Sequence, residues 1–167
     1  ESSESIRLSG DSVFSVRTES CKRYIDTPAK YFFEDLGLRN ARLNFRQMEE
    51  THLMENLIYN ELRRRGMDTD VGEVTVLVSK PEGGVERQHL EVYFVCNQGF
   101  RRYYIQSAYR IYDEEKREQE LRSLRKINDS FRKVVITWDS SPRYQNDDGI
   151  LFINLYDFLT NPNSFIE

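Results

Sequence analysis

The sequence predicts an α/β domain with a mixed central sheet flanked by helices, and three observations predict it. An amphipathic stretch with helical spacing is followed by three β-branched, alternating runs separated by turn signals. A second, highly charged helical stretch then leads into two further apolar runs. The resulting order, α-β-β-β-α-β, needs helices on the faces of one sheet to bury its apolar residues. Length and composition agree: 167 residues suit one domain, and 38% hydrophobic residues with 10 Tyr and 10 Phe supply a sizeable core.

The elements follow in order. Residues 1–29 form a lead-in rich in Ser and Thr, where Val13-Phe14-Ser15-Val16 and Lys22-Arg23-Tyr24-Ile25 predict one or two short strands before Pro28. The main domain, 30–167, begins with a helix from Phe45 to Arg65. Met54, Ile58 and Leu62 recur at i, i+4 and i+8 there, and Leu53 and Leu57 widen the stripe. Gly66 ends this helix, and Arg63-Arg64-Arg65 suit the negative end of its dipole. Val71 to Ser79 is the first strand, Glu82-Gly83-Gly84 a turn, and His89 to Cys96 the second strand, with Leu90, Val92, Phe94 and Cys96 expected on one face. Asn97-Gln98-Gly99 turns the chain into a third strand, Arg101 to Tyr109, completing an antiparallel meander. A helix from Asp113 to Ile127 directs Leu121, Leu124 and Ile127 inward and Glu114, Arg117 and Glu118 outward. Lys133 to Trp138 and Ile150 to Asn154 are strands, and a short helix from Tyr156 to Thr160 stops before Asn161-Pro162.

Charge and motifs exclude several classes. Lys plus Arg number 24 against 28 Asp plus Glu, a net charge of -4, so any attraction to nucleic acid must come from a local patch. No window approaches the 18 apolar residues of a membrane span, and Glu1 to Ser5 do not resemble a signal peptide, so no membrane partner is expected. Cys21 and Cys96 are too few for a disulfide scaffold, which fits a reducing, cytoplasmic setting. A start at Glu1 rather than Met reads as a piece of something longer. None of the eight glycines precedes Lys-Ser or Lys-Thr, and neither a dinucleotide turn nor a nucleophile elbow is present, so no cofactor is expected in this chain. His52 and His89 with Cys21 and Cys96 carry zinc-ligand chemistry, yet their spacing matches no ligand framework, and His52 is expected to pair with Glu55.

Glu55 is the carboxylate of most interest, because it lies beside the apolar stripe of a helix that precedes a three-stranded meander. The α-β-β-β-α-β order is that of the PD-(D/E)xK, restriction-endonuclease-like core, in which a helix Glu, a strand Asp and an ExK gather a divalent metal. Mg²⁺ needs several hard oxygen ligands, and a lysine steadies the attacking water. Two long words add specificity: Lys30-Tyr31-Phe32-Phe33-Glu34-Asp35-Leu36-Gly37-Leu38-Arg39-Asn40, and His52-Leu53-Met54-Glu55-Asn56-Leu57-Ile58-Tyr59-Asn60-Glu61-Leu62. From about Tyr24 to Phe165 the chain resembles the C-terminal domain of bacterial and archaeal AAA-type ATPases. That domain is of unknown function, with a restriction-endonuclease-like fold. The resemblance implies an ATPase domain and a winged-helix segment upstream, of which residues 1–29 would be a remnant.

Departures from the family pattern bear on catalysis. Glu91-Val92-Tyr93-Phe94-Val95 stands where the family has E-[IV]-D-F-V, so Tyr93 replaces a metal-binding Asp, and Gln106-Ser107-Ala108 stands where an active nuclease has ExK. A phenol is a poor Mg²⁺ ligand and Ala carries no ammonium. The resemblance therefore implies a non-catalytic module that binds a partner or nucleic acid and is coupled to an ATPase elsewhere. Glu55, Tyr93 and Gln106 would line a vestigial pocket, with a Glu to Tyr or Gln hydrogen bond in place of the metal. A divalent-metal nuclease using Mg²⁺ with Glu55, Glu91 and Gln106 is the competing enzyme reading, with Asp70 or Glu73 close by as migrated ligands. A self-association module, suggested by the tyrosines and the meander edge, is the third. Candidate nucleic-acid contacts are Arg63, Arg64, Arg101 and Arg102. Further basic residues lie at Arg122, Arg125, Lys126, Arg132 and Lys133, and Tyr103, Tyr104, Tyr109 and Tyr112 are available for stacking.

Overall fold

The computed structural model describes residues 5–7, 12–17, 30–46, 49–79 and 84–166, the first two stretches as backbone only. Cys21, the 22–25 run, Glu82 and Gly83 lie outside the described residues. Eight strands form one sheet: β1 (Ser5–Arg7), β2 (Ser12–Arg17), β3 (Asp68–Ser79), β4 (Val85–Gln98), β5 (Arg101–Ala108), β6 (Arg132–Thr137), β7 (Tyr144–Gln145) and β8 (Leu151–Asn154). Their spatial order is β1-β2-β3-β4-β5-β6-β8-β7. The first five run as an antiparallel meander, whereas β5, β6 and β8 are parallel to one another. Among the described residues the helices are α1 (Leu36–Arg42), α2 (Glu50–Arg64), α3 (Glu114–Arg125) and α4 (Leu155–Thr160). A parallel neighbour cannot be reached by a hairpin, and α3 makes the required crossover from β5 to β6.

The sheet separates two cores. On one face Met54, Ile58 and Leu62 of α2 pack with Phe94, Ile105, Val134 and Ile153, and α4 adds Phe158. On the other, Leu121 and Leu124 of α3 and Ile127 beyond it pack with Val74, Val92, Tyr104, Val135 and Phe152. The expected mixed α/β sheet flanked by helices is therefore present.

The expectation that Leu90, Val92, Phe94 and Cys96 share a face is overturned. Between the pairs Asp70↔Val95 and Gly72↔Val92, β4 carries one residue more than β3, a β-bulge. Because strand side chains alternate, the extra residue reverses every later one. Val92 thus packs under α3, while Phe94 and Cys96 pack under α2. The bulge lies at Tyr93 and Phe94, and Tyr93 joins Phe94 on the α2 side.

One helix start also differs, and two elements were not expected. The helix expected from Phe45 starts at Glu50, because Asn44 and Phe45 adopt positive φ and close off a separate α1. That helix went unread, since it buries no residue and so has no apolar stripe; its sequence mark is Asp35, whose carboxylate accepts from Leu38 N at 2.8 Å as an N-cap. The two-residue β7 also went unread, being too short for any alternation. Gly66, at φ 73°, does terminate α2.

Candidate functional site

The N-terminal half of α2, the bulge of β4 and the segment before α1 enclose a cleft of about 280 Å³. Glu55 is buried in its wall because it sits one residue along from the Met54 stripe, on the helix edge nearest the sheet. The bulge delivers Tyr93 to the same place, where Glu55 and Tyr93 line the cleft together and each perturbs the ionisation of the other. Lys30 completes the group: its Nζ lies 2.8 Å from Glu91 Oε1, 3.7 Å from Glu55 Oε2 and 4.2 Å from the Tyr93 ring centroid.

Lys30 is held there by a clamp. Asn56, buried on α2, accepts from Phe33 N at 2.8 Å and donates to Phe33 O at 2.7 Å, and Asn60 donates to the same carbonyl at 2.8 Å. Phe32 stacks on Tyr59 with ring centroids 4.0 Å apart. An extended segment with no strand partner of its own is thereby fixed against the helix.

The electrostatics follow from burial. Removal from water pushes the Glu55 carboxyl above the ordinary carboxylate range; Lys30 and His52 oppose the rise, Glu91 adds to it, and the neighbouring Tyr93 hydroxyl also opposes it. Burial raises the Tyr93 phenol further from ionisation, as do the Glu55, Glu120 and Glu91 carboxylates, so the phenol remains a neutral donor. On the rim stand Arg39, His52 and the exposed rings of Tyr31 and Phe33, with the Arg39 guanidinium 5.8 Å from the Phe33 ring centroid.

The structure brings Glu55, Tyr93 and Glu91 together around Lys30. Gln106 touches this group through the backbone: its Oε1 accepts from Tyr93 N at 3.4 Å, at the end of the β4–β5 ladder. Glu73 lies opposite Glu91 in the β3–β4 register and bonds His89 Nδ1 at 2.9 Å, and Asp70 pairs with Val95 further along. His52 pairs with Glu49 at 3.0 Å, not with Glu55 as expected. Cys96 is buried, its thiol pushed up to about 12 by desolvation. Among the described residues no three His, Cys, Asp or Glu side chains are grouped to hold a metal ion. Sequence reasoning missed Lys30 as a site residue, because 25 positions separate it from Glu55 and no local spacing links them. It missed Asn56 as well, although a polar residue beside a buried helix stripe is a usable signal.

The arginines fall at the opposite end of α2. Arg64 forms paired bonds to Glu61, each 2.7 Å, while Arg63 reaches Met67 O at 3.3 Å and Asp68 at 3.8 Å. Arg101 is exposed at the start of β5, and Arg102 bonds Asn97 Oδ1 at 2.9 Å. Tyr103 and Tyr104 are not available for stacking on bases, because both are core residues. Tyr109 stacks on Trp138, and Tyr112 is exposed.

No family model matches the chain, and no solved structure matches it. A protein of Haemophilus influenzae described as uncharacterized is 31% identical over 138 residues, which make up 83% of this chain and 30% of that protein. The chain thus spans less than a third of that relative. No helix among the described residues is long and apolar enough to cross a membrane.

Proposed function

We propose that the chain is a non-catalytic, restriction-endonuclease-like module, the C-terminal domain of an AAA-type ATPase, that works by binding a partner or nucleic acid. One observation carries the reading: the Lys30 ammonium lies against both Glu91 and Glu55, with the Tyr93 ring centroid 4.2 Å from the same ammonium. Mg²⁺ asks for near-octahedral oxygen ligands and retains several waters. Here two carboxylates already share an ammonium, and the third group is a phenol kept neutral by burial, so the donor set does not fit the ion and no metal-assisted step is derived.

The element order supports the same reading. Helix α2, the meander β3-β4-β5, the crossover α3 and the parallel β6 reproduce the α-β-β-β-α-β series. Similarity to part of a much longer Haemophilus influenzae protein is in keeping with a module carried within a larger polypeptide. The cleft mouth, with Lys30, Arg39 and His52 beside Tyr31 and Phe33, suits an anionic or aromatic group.

The test is incubation of the purified chain with labelled single- and double-stranded DNA and RNA, with and without Mg²⁺ or Mn²⁺. The expected result is intact substrate under every condition. Metal-dependent cleavage that Glu55→Ala abolishes would overturn the proposal in favour of a nuclease using Glu55 and Glu91.

A further inference from the structure

We infer that the end of the sheet remote from the cleft is a docking surface for single-stranded nucleic acid, built from Phe100, Phe131, Arg63, Arg101 and Arg102. This deepens the binding-module reading by naming its partner, and it places that partner away from Glu55.

The strand register brings these residues to one end of the sheet, with Arg101 and Arg102 on its opposite faces. Arg63 at the end of α2 reaches Asp68 at the start of β3; Asp68 pairs with Asn97, Asn97 with Arg102, and Gln98 with Arg101. The Arg102 guanidinium lies 5.8 Å from the ring centroid of Phe131, which is partly exposed just before β6. Between β4 and β5 is a two-residue turn whose first position, Gly99, has φ 60°, as a tight hairpin requires. Its second position is Phe100, which is fully exposed.

Two features call for a ligand. The turn needs Gly99 for its backbone but nothing apolar after it, so Phe100 spends a large ring in water with no folding role. Two successive arginines directly after that ring are also unexpected on a chain of net charge -4. Helix-dipole complementarity accounts for Arg63 and Arg64 at the end of α2, but Arg101 and Arg102 lie on a strand. Asp68 and Asp129 are the nearby acids: Asp68 takes Arg63 at 3.8 Å, and Asp129 accepts from Tyr104 OH at 2.6 Å and Phe131 N at 3.1 Å. Exposed rings and guanidinium groups at one end of the sheet match unpaired bases and their phosphates, because every base offers a π-face and every linkage an anion. A duplex keeps its bases stacked inside, and so gains nothing from Phe100.

The experiment is fluorescence anisotropy with labelled oligo-dT and oligo-U, and with a duplex of equal length, using the purified chain. With Arg63, Arg101 and Arg102 each meeting a phosphate, the single-strand slope of log K against log salt is about -2, so affinity falls about 20-fold between 50 and 200 mM salt. Phe100→Ala is expected to weaken single-strand binding at least about fivefold, while Tyr156→Ala, another exposed ring at a different place, leaves it unchanged. The double variant Arg63→Ala/Arg101→Ala reduces the slope by about 1.4. Circular dichroism melts confirm that each variant is folded. Absence of single-strand binding, equal affinity for duplex, or binding unaffected by Phe100→Ala would each overturn the inference. These failures leave the non-catalytic reading intact, since only metal-dependent cleavage overturns that.

Discussion

Replacing Lys30 by Met keeps the aliphatic stem and removes the one positive charge held between Glu55 and Glu91. Unit charges about 4 Å apart interact by about 1 kcal/mol in water and about 4 kcal/mol at an effective dielectric of 20. The Lys30–Glu55 pair, at 3.7 Å, lies between these limits because Glu55 is nearly buried and Lys30 about one-third exposed. About 2 kcal/mol of stability should therefore be lost at pH 7, the more exposed Glu91 contact adding little. The pH dependence follows from the raised Glu55 carboxyl. The folded state holds the Glu55 proton more tightly than the unfolded state, so this group's contribution falls as pH rises from its unfolded value through its folded value. Without Lys30 the folded value moves higher still, and the decline continues further. The gap between wild type and Lys30→Met should therefore be small near pH 4 and widest at neutral pH. Urea unfolding from pH 4 to 8 measures it, and carboxyl NMR shows the Glu55 midpoint moving up. A gap independent of pH, or a midpoint that moves down, would refute the electrostatic coupling of Lys30 to Glu55.

Further outcomes rest on two other buried polar groups, Glu61 and Asn56. Glu61 is 8% exposed and accepts from Arg64 and from Arg65, whose guanidinium is 6% exposed, bonds the Phe158 and Pro162 carbonyls and stacks 4.5 Å from the Phe158 ring centroid. Glu61→Ala strands a buried charge and should cost about 3–5 kcal/mol, whereas Arg64→Ala, exposed to water, should leave the urea midpoint nearly unchanged. The paired arginines hold the Glu61 carboxyl below its ordinary range, so the penalty of Glu61→Gln should be present above pH 5 and vanish as the pH falls through the folded value. Asn56→Ala removes both bonds to Phe33 and leaves its N–H unpaired, for a loss of about 2 kcal/mol and faster hydrogen exchange at the Phe33 amide.

Local physics made much of this fold legible. The stripe Met54, Ile58, Leu62, the stop at Gly66 and the turn at Asn97-Gln98-Gly99 depend on residues a few positions apart, and each recurs in the structure. Glu55, Tyr93 and Glu91 were legible as residues of interest, by their places on a helix and a strand. Their common cluster was not. It depends on one extra residue in β4, which turns Phe94 away from Val92 and sets Tyr93 beside Glu55, and a bulge leaves no mark in apolar alternation. It depends equally on Asn56 fastening Phe33, which brings Lys30 to two carboxylates 25 and 61 positions away. The sequence by itself determined the main helices and strands, though not α1 or β7, because periodicity and turn chemistry act within a few residues and neither of those elements carries an apolar period. The tertiary structure decided which charges meet and which surface is left exposed, because register, bulge and clamp join residues distant along the chain.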